Sequence, residues 1–318
     1  MKLSRKLSRT LLLATCVLVP ALSSARADVK VLASIKPVHS LVAAVMQGAG
    51  EPGLIVEGAA SPHTYSLKPS QAAAMQDADV VFWIGEALEA FLQKPIETIG
   101  SGIKADELIE APGLETLGFR EGGAFEPHMD DGEEEDAHED GHDHADIDPH
   151  VWLDPQNTKA LTAEIARALG EADPANAALY TANSAALDDK LDALTAEIAS
   201  ELAPAAGKGF IVFHDGYQYF EHRFGLTAAG SITVTPDLMP GAERLTEIRA
   251  KVKELGATCV FSEPQFESKL INLVTEGTDA RPAVLDPLGA AIEPGPELYF
   301  TLMRTMAKSV SSCLSGSM

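Results

Sequence analysis

Short apolar runs alternate with helix-prone segments along the first half of the chain. The runs are VKVLASI at 29–35, GLIVEG at 53–58 and DVVFWIG at 79–85. Continuous apolar runs of this length are typical of strands that are covered by helices on both faces. Strands that alternate with helices of about ten to fifteen residues indicate a mostly parallel sheet built from βαβ units. The first half therefore predicts one α/β lobe.

The same alternation returns in the second half. Its apolar runs are GFIVF at 209–213, LTAAGSITV at 226–234, TCVFSE at 258–263 and PAVLD at 282–286. Helix-prone segments separate these runs, so the second half predicts another α/β lobe. We therefore expect an α/β protein with two lobes, each with a mostly parallel sheet that helices flank.

One long helix is predicted between the lobes. Asp173 and Pro174 suit the cap and the first position of a helix. Apolar residues then recur at spacings of three and four: Leu187, Leu191, Leu194 and Ile198. A rigid helix restricts hinge motion between the lobes that it joins. We expect lobes at 28–173 and 203–318, with the linking helix at 174–202.

The N-terminus has the three parts of a secretion signal. Basic residues come first, an apolar run from 11 to 22 follows, and the small-residue pattern Ala-Arg-Ala ends at Ala27. The apolar run is too short for a comfortable transmembrane helix. We therefore expect residues 1–27 to be a signal peptide that is removed on export to the periplasm. A retained membrane anchor is the alternative.

The composition of the chain narrows the class of partner. Of the 318 residues, 46% are hydrophobic and 22% are charged, which is ample apolar material for buried cores. There are 24 Lys and Arg residues against 47 Asp and Glu residues, a formal net charge of −23. So much negative charge repels phosphate backbones and anionic lipid surfaces. We expect no nucleic-acid partner, and we expect a monomer.

Two cysteines lie outside the predicted signal. In an oxidising compartment an isolated pair most simply forms one disulfide, here between Cys259 and Cys313. Such a bridge closes a loop of about 55 residues, for which the chain-entropy model gives roughly 4 kcal/mol of stabilisation. Two buried free thiols are the alternative.

The segment 121–148 belongs to neither lobe in its composition. It is acidic, has almost no apolar residues and carries four histidines: His128, His138, His142 and His144. A segment of this composition cannot bury enough surface to offset its ordering entropy, so we expect a mobile loop. Imidazoles that are interleaved with carboxylates favour an auxiliary, multi-site metal collector. A solvated acidic insertion is the alternative.

Three of the other five histidines share a structural context. His63 lies in the turn after GLIVEG, His150 lies directly before a predicted helix, and His214 follows the strand GFIVF. The ligand sites of open α/β sheets collect outside the carboxyl ends of the strands. His63 and His150 come from the first lobe and His214 comes from the second. We therefore predict that these three residues bind one metal ion in the cleft between the lobes.

A fourth donor is predicted less directly. Asp286 ends the run PAVLD and so mirrors His214 on a neighbouring strand. Its carboxylate is a candidate fourth ligand, or a candidate partner that holds one of the histidines by a hydrogen bond. Glu263, at the end of TCVFSE, is a weaker candidate for either role. A plain turn residue before Pro287 is the alternative for Asp286.

The donor types indicate the metal. Three imidazole nitrogens suit Zn²⁺, Cu²⁺ or Ni²⁺ far better than Ca²⁺ or Mg²⁺, which require oxygen shells. Mn²⁺ favours binding sites with more carboxylate ligands. Zn²⁺ tolerates four-coordinate sites of nitrogen and oxygen donors, so it is the first choice, although the affinity order places Cu²⁺ above it.

Six motifs resemble those of a known family. They are HTYSLKPS, DPHVWLDP, FHDGYQYF, TPDLMPGAERL, FSEPQF and LDPLG. In order and context they resemble the cluster A-I solute-binding proteins of metal ABC importers, and most of all the ZnuA-like zinc-binding proteins. The resemblance covers nearly the whole mature chain. It implies zinc bound between two α/β lobes joined by a rigid helix, with His63, His150 and His214 as ligands.

The resemblance also implies a role and partners. Proteins of this kind bind zinc and deliver it to a membrane permease that a cytoplasmic ATPase drives. His214 favours zinc, because the manganese branch generally carries Glu at this position, and the pair Cys259 and Cys313 and the His/acid loop also resemble the zinc branch. One departure is Pro62, where some relatives have Glu immediately before the first ligand histidine. That departure leaves water or Asp286 as the fourth donor.

We expect a high-affinity periplasmic zinc carrier without catalytic turnover. The alternatives are a manganese-binding relative, a metal-buffering protein or an adhesin. A zinc hydrolase is a further alternative, since three histidines and a water also form the arrangement that activates hydroxide. Such an enzyme needs an open substrate cleft and a nearby base, for which Glu263 is the candidate.

Overall fold

The computed structural model describes residues 29–120, 124–125, 147–233, 240–256, 259–266 and 269–316. The predicted signal peptide lies outside these ranges. Within them, no helix combines the length and the apolar character that are needed to cross a bilayer.

The first lobe is built on a four-stranded parallel sheet in the order β2, β1, β3, β4. The strands are β1 (Val31–Ala33), β2 (Gly53–Leu54), β3 (Val80–Trp83) and β4 (Lys104–Glu107). The helices that follow the first three strands are α1 (Lys36–Val45), α2 (Pro69–Gln76) and α3 (Glu86–Ile99). The lobe therefore consists of successive βαβ units, as the alternation of apolar runs predicts.

β4 is the strand that the apolar pattern does not predict. Its residues are mostly polar, and Asp106 is the one that is buried. By contrast, all four residues of β3 are buried, because β3 lies inside the sheet between β1 and β4. A strand at the edge of a sheet needs no continuous apolar run, so β4 leaves no such signal in the sequence.

Two long helices, α4 (Pro155–Ala172) and α5 (Ala177–Leu202), connect the lobes and pack against each other. Asp154 caps α4 by accepting a hydrogen bond from the amide of Gln156 at 2.8 Å. The 26 residues of α5 begin at Ala177 and not at Pro174, since residues 174–176 form the turn between the two helices. The predicted apolar positions of α5 are buried: Leu187, Leu191, Leu194 and Ile198.

The second lobe repeats the topology of the first, with parallel strands in the order β6, β5, β7, β8. The strands are β5 (Phe210–His214), β6 (Gly230–Thr233), β7 (Cys259–Ser262) and β8 (Arg281–Val284). The helices are α6 (Gln218–Phe224), α7 (Ala242–Leu255), α8 (Lys269–Thr275) and α9 (Leu298–Ser315). The predicted α/β fold of two lobes with parallel sheets is confirmed.

One continuous apolar core runs through both lobes. Helix α5 packs against α1 of the first lobe and against α9 of the second. Lys36, at the start of α1, donates hydrogen bonds to the carbonyls of Gly289, Ala290 and Ile292 at 2.8, 2.9 and 2.7 Å. The two lobes therefore share a common frame around the linking helix.

The two cysteines of the second lobe form a disulfide bond. Cys259 begins β7 and Cys313 lies in α9, and both are fully buried. The bond joins residues 54 positions apart in the chain, so it ties the C-terminal helix to the sheet of its own lobe.

A buried carboxyl group braces the end of β3. Glu89, in the first turn of α3, accepts hydrogen bonds from the amides of Ile84 at 2.8 Å and Gly85 at 3.1 Å. Burial raises the pKa of Glu89 to about 7, although Ser34 and these two amides oppose the shift. Helix α3 packs on the short turn that carries His63, so Glu89 supports the part of the lobe from which that residue projects.

We predict that Glu89→Gln changes the pH dependence of stability. The folded-state pKa of about 7 lies above the ordinary value of 4.5, so the folded protein binds more protons than the unfolded chain between these pH values. The contribution of Glu89 to the free energy of unfolding is therefore fully present below about pH 4.5 and is lost as the pH rises through about 7, by up to about 1.4 kcal/mol per pH unit.

Urea unfolding between pH 4.5 and 8 measures this effect. The free energy of unfolding of the wild type relative to Glu89→Gln should fall as the pH rises. Glu97→Gln, at an exposed position of the same helix, is the matched control and should show no such trend. A difference between wild type and Glu89→Gln that stays constant across this range contradicts the prediction.

Candidate metal centre

Three histidine side chains converge between the lobes. One ring nitrogen from each of His63, His150 and His214 lies within 4.8 Å of the other two. Nε2 of His150 and Nε2 of His214 are 3.2 Å apart. Two nitrogens bound to one tetrahedral zinc ion at about 2.05 Å are separated by about 3.3 Å. The spacing of this pair therefore fits two ligands of one zinc ion.

Each histidine comes from a different element. His63 lies in the single turn Pro62–Thr64 after β2, His150 immediately precedes the turn Val151–Leu153, and His214 is the last residue of β5. In the second lobe the strand order reverses between β5 and β7. Ligands of open parallel sheets bind outside the carboxyl ends of the strands at such a point. The structure thus brings together the three histidines that the strand-end argument selects.

Carboxylates hold Nδ1 of two of the imidazoles. Oδ1 of Asp148 lies 2.7 Å from Nδ1 of His150, and Oε1 of Glu263 lies 2.6 Å from Nδ1 of His214. An ionised carboxylate only accepts hydrogen bonds, so each Nδ1 carries a hydrogen and each Nε2 keeps its lone pair when the ring is neutral. This is the tautomer that a metal ligand needs. Both lone pairs therefore face the same space.

Asp148 is itself firmly positioned. It is 0% exposed, and its Oδ1 also accepts the backbone amide of His150 at 3.0 Å. Gln218 donates to Oδ2 at 3.2 Å, and the hydroxyl of Tyr219 donates to the carbonyl of Asp148 at 2.8 Å. Asp148 lies within the segment 121–148 that the composition assigns to a mobile acidic loop. Composition averaged over a segment hides a buried residue at its end, so sequence reasoning missed the role of Asp148.

The surroundings shift the pKa values of two of the imidazoles in opposite directions. Burial lowers the pKa of His63 well below its ordinary value, and the neighbouring rings of His150 and His214 lower it further. Burial also lowers the pKa of His214, but Glu263 and other nearby carboxylates outweigh it, and the net shift is upward. His63 is therefore neutral near pH 7, which is the state that binds a metal ion.

Asp286 is not part of this group of side chains. Its Oδ1 accepts the amides of Leu288 and Gly289 at 3.1 and 3.0 Å, and its Oδ2 accepts the amide of Ala290 at 2.6 Å. The side chain therefore caps the turn after β8. The hydrogen bond to a histidine that the sequence suggests for Asp286 is made by Glu263, because Glu263 follows β7, the direct neighbour of β5 in the sheet.

Two other histidines are described, His39 and His222, and neither joins the centre. The other four lie outside the described residues: His128, His138, His142 and His144. Nε2 of His39 is 3.1 Å from the carbonyl of Pro52, so this ring has a structural partner. The side chain of His222 is 57% exposed and lies 3.8 Å from Glu115.

Gly216 leaves space in front of the imidazoles. A Cβ at this position would lie 2.4 Å from Nε2 of His214 and 2.9 Å from Nε2 of His150. The backbone of Gly216 is not in the left-handed region, so glycine is required here for space and not for its φ angle. A space that a methyl group would fill, faced by imidazole nitrogens, fits a metal ion. Only the folded structure reveals this requirement.

Comparison with known proteins shows the family. The family model ZnuA, described as "Zinc-uptake complex component A periplasmic", matches residues 31–313. The chain belongs to the ZnuA family. It is 54% identical over 306 residues to the high-affinity zinc uptake system protein ZnuA of Brucella suis biovar 1, which covers 90% of this chain and 91% of that protein.

Solved structures agree with this assignment. A crystal structure of ZnuA superimposes with a TM-score of 0.73 at 26% identity and covers 91% of this chain and 100% of that one. A deletion mutant of ZnuA with zinc bound superimposes with a TM-score of 0.72 at 26% identity, over 90% of this chain and 98% of that one. The ZnuA family consists of solute-binding proteins and is periplasmic by its description.

We predict that Gly216→Ala abolishes tight zinc binding without unfolding the protein. The added methyl group takes the space in front of two Nε2 atoms, while the backbone at 216 suits alanine. Competition with a chelator should show an affinity for zinc that is weaker by about 100-fold or more, which is about 2.7 kcal/mol. Gly241→Ala is the matched control, since a Cβ there meets nothing within 4 Å. Wild-type affinity in Gly216→Ala would show that the metal does not bind in front of these two nitrogens.

Proposed function

We propose that this protein is the high-affinity zinc-binding component of an ABC importer. It captures Zn²⁺ in the periplasm and delivers it to a membrane permease that a cytoplasmic ATPase drives. The observation that carries the proposal is the convergence of three imidazoles between two lobes, with two Nε2 atoms 3.2 Å apart. The relative from Brucella suis, named as a high-affinity zinc uptake protein, supports it.

The proposed zinc ligands are His63, His150 and His214. Three neutral nitrogens favour zinc over calcium or magnesium, which bind through oxygen. The buried carboxylates of Asp148 and Glu263 lie one hydrogen bond behind two of the ligands and together offset the two positive charges of the ion. This balance matters because an uncompensated charge is costly in a buried site.

The proposed carrier performs no catalytic turnover. Glu263, the candidate base of a hydrolase, is hydrogen-bonded to His214 and lies beside the buried hydroxyl of Tyr217, whose pKa is raised well above its ordinary value by burial and by this carboxylate. Much of the rest of the cavity lining is apolar: Pro62, Phe266, Pro287 and Leu288. Such a lining shields an ion from water and offers few groups that would orient a polar substrate.

The proposed domain organisation is that of an exported protein. Residues 1–27 form a signal peptide that is removed, and the mature chain is a monomer in the periplasm. Its lobes span 28–173 and 203–318, and the segment 174–202 links them. The burial of α5 between the lobes supports a rigid connection, so capture of zinc depends on ligands that are already close together.

We predict that each of His63→Ala, His150→Ala and His214→Ala lowers the affinity for zinc by more than about 100-fold. That loss exceeds the 10- to 100-fold that outer partners of a metal site contribute. Competition titrations with Zn²⁺, Mn²⁺ and Cu²⁺ on the mature protein measure it, and the wild type should bind Zn²⁺ more tightly than Mn²⁺. His222→Ala, at an exposed position, is the control. Three variants that retain wild-type affinity would remove the assignment of the site.

We propose that the segment 121–148 collects metal ions near this centre through its four histidines: His128, His138, His142 and His144. Its described ends are anchored to the protein. The carbonyl of Ala124 accepts hydrogen bonds from the amide of Ser231 at 3.2 Å and from Arg244 at 2.8 Å, and Asp148 holds His150. The segment therefore begins on the second lobe and ends next to a proposed ligand.

We predict that deletion of residues 126–146, with a short Gly-Ser linker in their place, lowers the number of zinc ions bound per chain but leaves the tightest site intact. The deletion spares Asp148, whose loss would disturb His150 directly. Zinc stoichiometry and affinity are measured by equilibrium dialysis and chelator competition. Replacement of the four histidines by Ala in the full-length chain is the matched control and should have the same effect. Loss of tight binding in the deletion protein contradicts this division of roles.

A further inference from the structure

An amide oxygen without a partner lies at the candidate metal centre. Gln265, in the turn after β7, lines the same cavity as the three histidines. Its Oε1 is buried and has no hydrogen-bond partner among the described atoms. Leaving a buried carbonyl oxygen unpaired is unfavourable, and buried polar groups in folded proteins are paired with protein or with ordered water. The oxygen therefore calls for a donor that the protein does not supply, either an ordered water or a bound species.

Asp286 fixes which way the amide of Gln265 faces. Nε2 of Gln265 lies 3.1 Å from Oδ1 of Asp286. Because an ionised carboxylate can only accept, the NH₂ group must face Asp286, and the oxygen must lie on the other side of the amide. Asp286 is not among the residues that line the cavity, and its oxygens also cap the turn at 288–290. The oxygen of Gln265 is thus directed away from that turn, on the side of the cavity.

The proposed zinc site needs an acceptor of this kind. Three imidazoles leave one position of a tetrahedral zinc ion open to water. Water bound to zinc is far more acidic than bulk water, so it is a strong hydrogen-bond donor. Glu263, the carboxylate among the lining residues of this cavity, already accepts from His214 at 2.6 Å through Oε1 and also faces the hydroxyl of Tyr217. The amide oxygen of Gln265 has no such donor.

We infer that Gln265 positions the fourth zinc donor: its Oε1 accepts a hydrogen bond from the water that completes the coordination by His63, His150 and His214. This inference rests on the proposed zinc binding by those three residues. Asp286 then acts one step further out, by orienting Gln265, and is not a ligand. A neutral oxygen at 265 also leaves the charge of the site unchanged.

The test compares zinc and cobalt binding by Gln265→Leu and the wild type. The variant removes the acceptor at similar side-chain size and should lower the affinity for Zn²⁺ by about tenfold, as outer partners of a metal site typically do. With Co²⁺ in place of zinc, the visible absorption should stay that of a four-coordinate ion but its bands should shift. Gln156→Leu, at an exposed position, is the matched control.

The outcomes separate this inference from the proposed function. Wild-type zinc affinity and an unchanged cobalt spectrum in Gln265→Leu overturn the role of Gln265, even if the three histidine variants lose affinity as expected. A change in the cobalt coordination number in Gln265→Leu also overturns it, because such a change would mean that the amide oxygen of Gln265 in the wild type binds the metal directly. Unchanged affinity in the histidine variants instead defeats the proposed function itself. Urea unfolding of the metal-free protein checks that Gln265→Leu is folded under the conditions of the titration.

Discussion

The opposition of two imidazole lone pairs is the constraint on which the rest of the site depends. Nε2 of His150 and Nε2 of His214 face each other at 3.2 Å, a distance at which two lone pairs repel unless a cation or a proton lies between them. Asp148 and Glu263 keep both rings in this arrangement by holding Nδ1. Either a proton shared between the two nitrogens or a bound metal ion removes this repulsion. Imidazole ligands that are held in place before the ion arrives raise the affinity for it.

Much of this arrangement could be predicted from the sequence, since it follows from sheet topology. Apolar runs mark β1, β3, β5 and β7 as buried parallel strands, and the carboxyl ends of such strands are where ligands bind. His214 ends β5, and Glu263 follows the paired strand β7, so their contact is a consequence of strand order. The same reasoning selects His63 and His150. Their approach to His214 depends on how the two lobes meet, which periodicity alone does not specify.

The parts that could not be predicted depend on close approach in three dimensions. Gly216 matters because of the two nitrogens that a side chain there would meet, and a glycine two residues after a strand looks like an ordinary turn. Gln265 matters because Asp286 fixes the orientation of its amide group, and no local sequence pattern indicates that role. Asp286 stands at a strand end as a ligand would, yet three backbone amides of its own turn compete for its oxygens. Local hydrogen bonding of Asp is a recurrent alternative to binding at a distance.

The common frame of the lobes restricts how the site can exchange metal. The indole of Trp152, two residues after His150, donates to the carbonyl of Pro287 at 3.0 Å, and Lys36 donates to three carbonyls of the following turn. Rotation of one lobe about α5 would break these buried hydrogen bonds and leave their partners unsatisfied, at a cost of about 1–3 kcal/mol for each group. Movement of a single ligand turn breaks fewer buried hydrogen bonds than rotation of a whole lobe. His63 is only partly buried, and among the described residues no carboxylate holds its ring, whereas His150 and His214 are both held. Of the three proposed ligands, His63 and its turn can therefore move at the lowest cost in free energy.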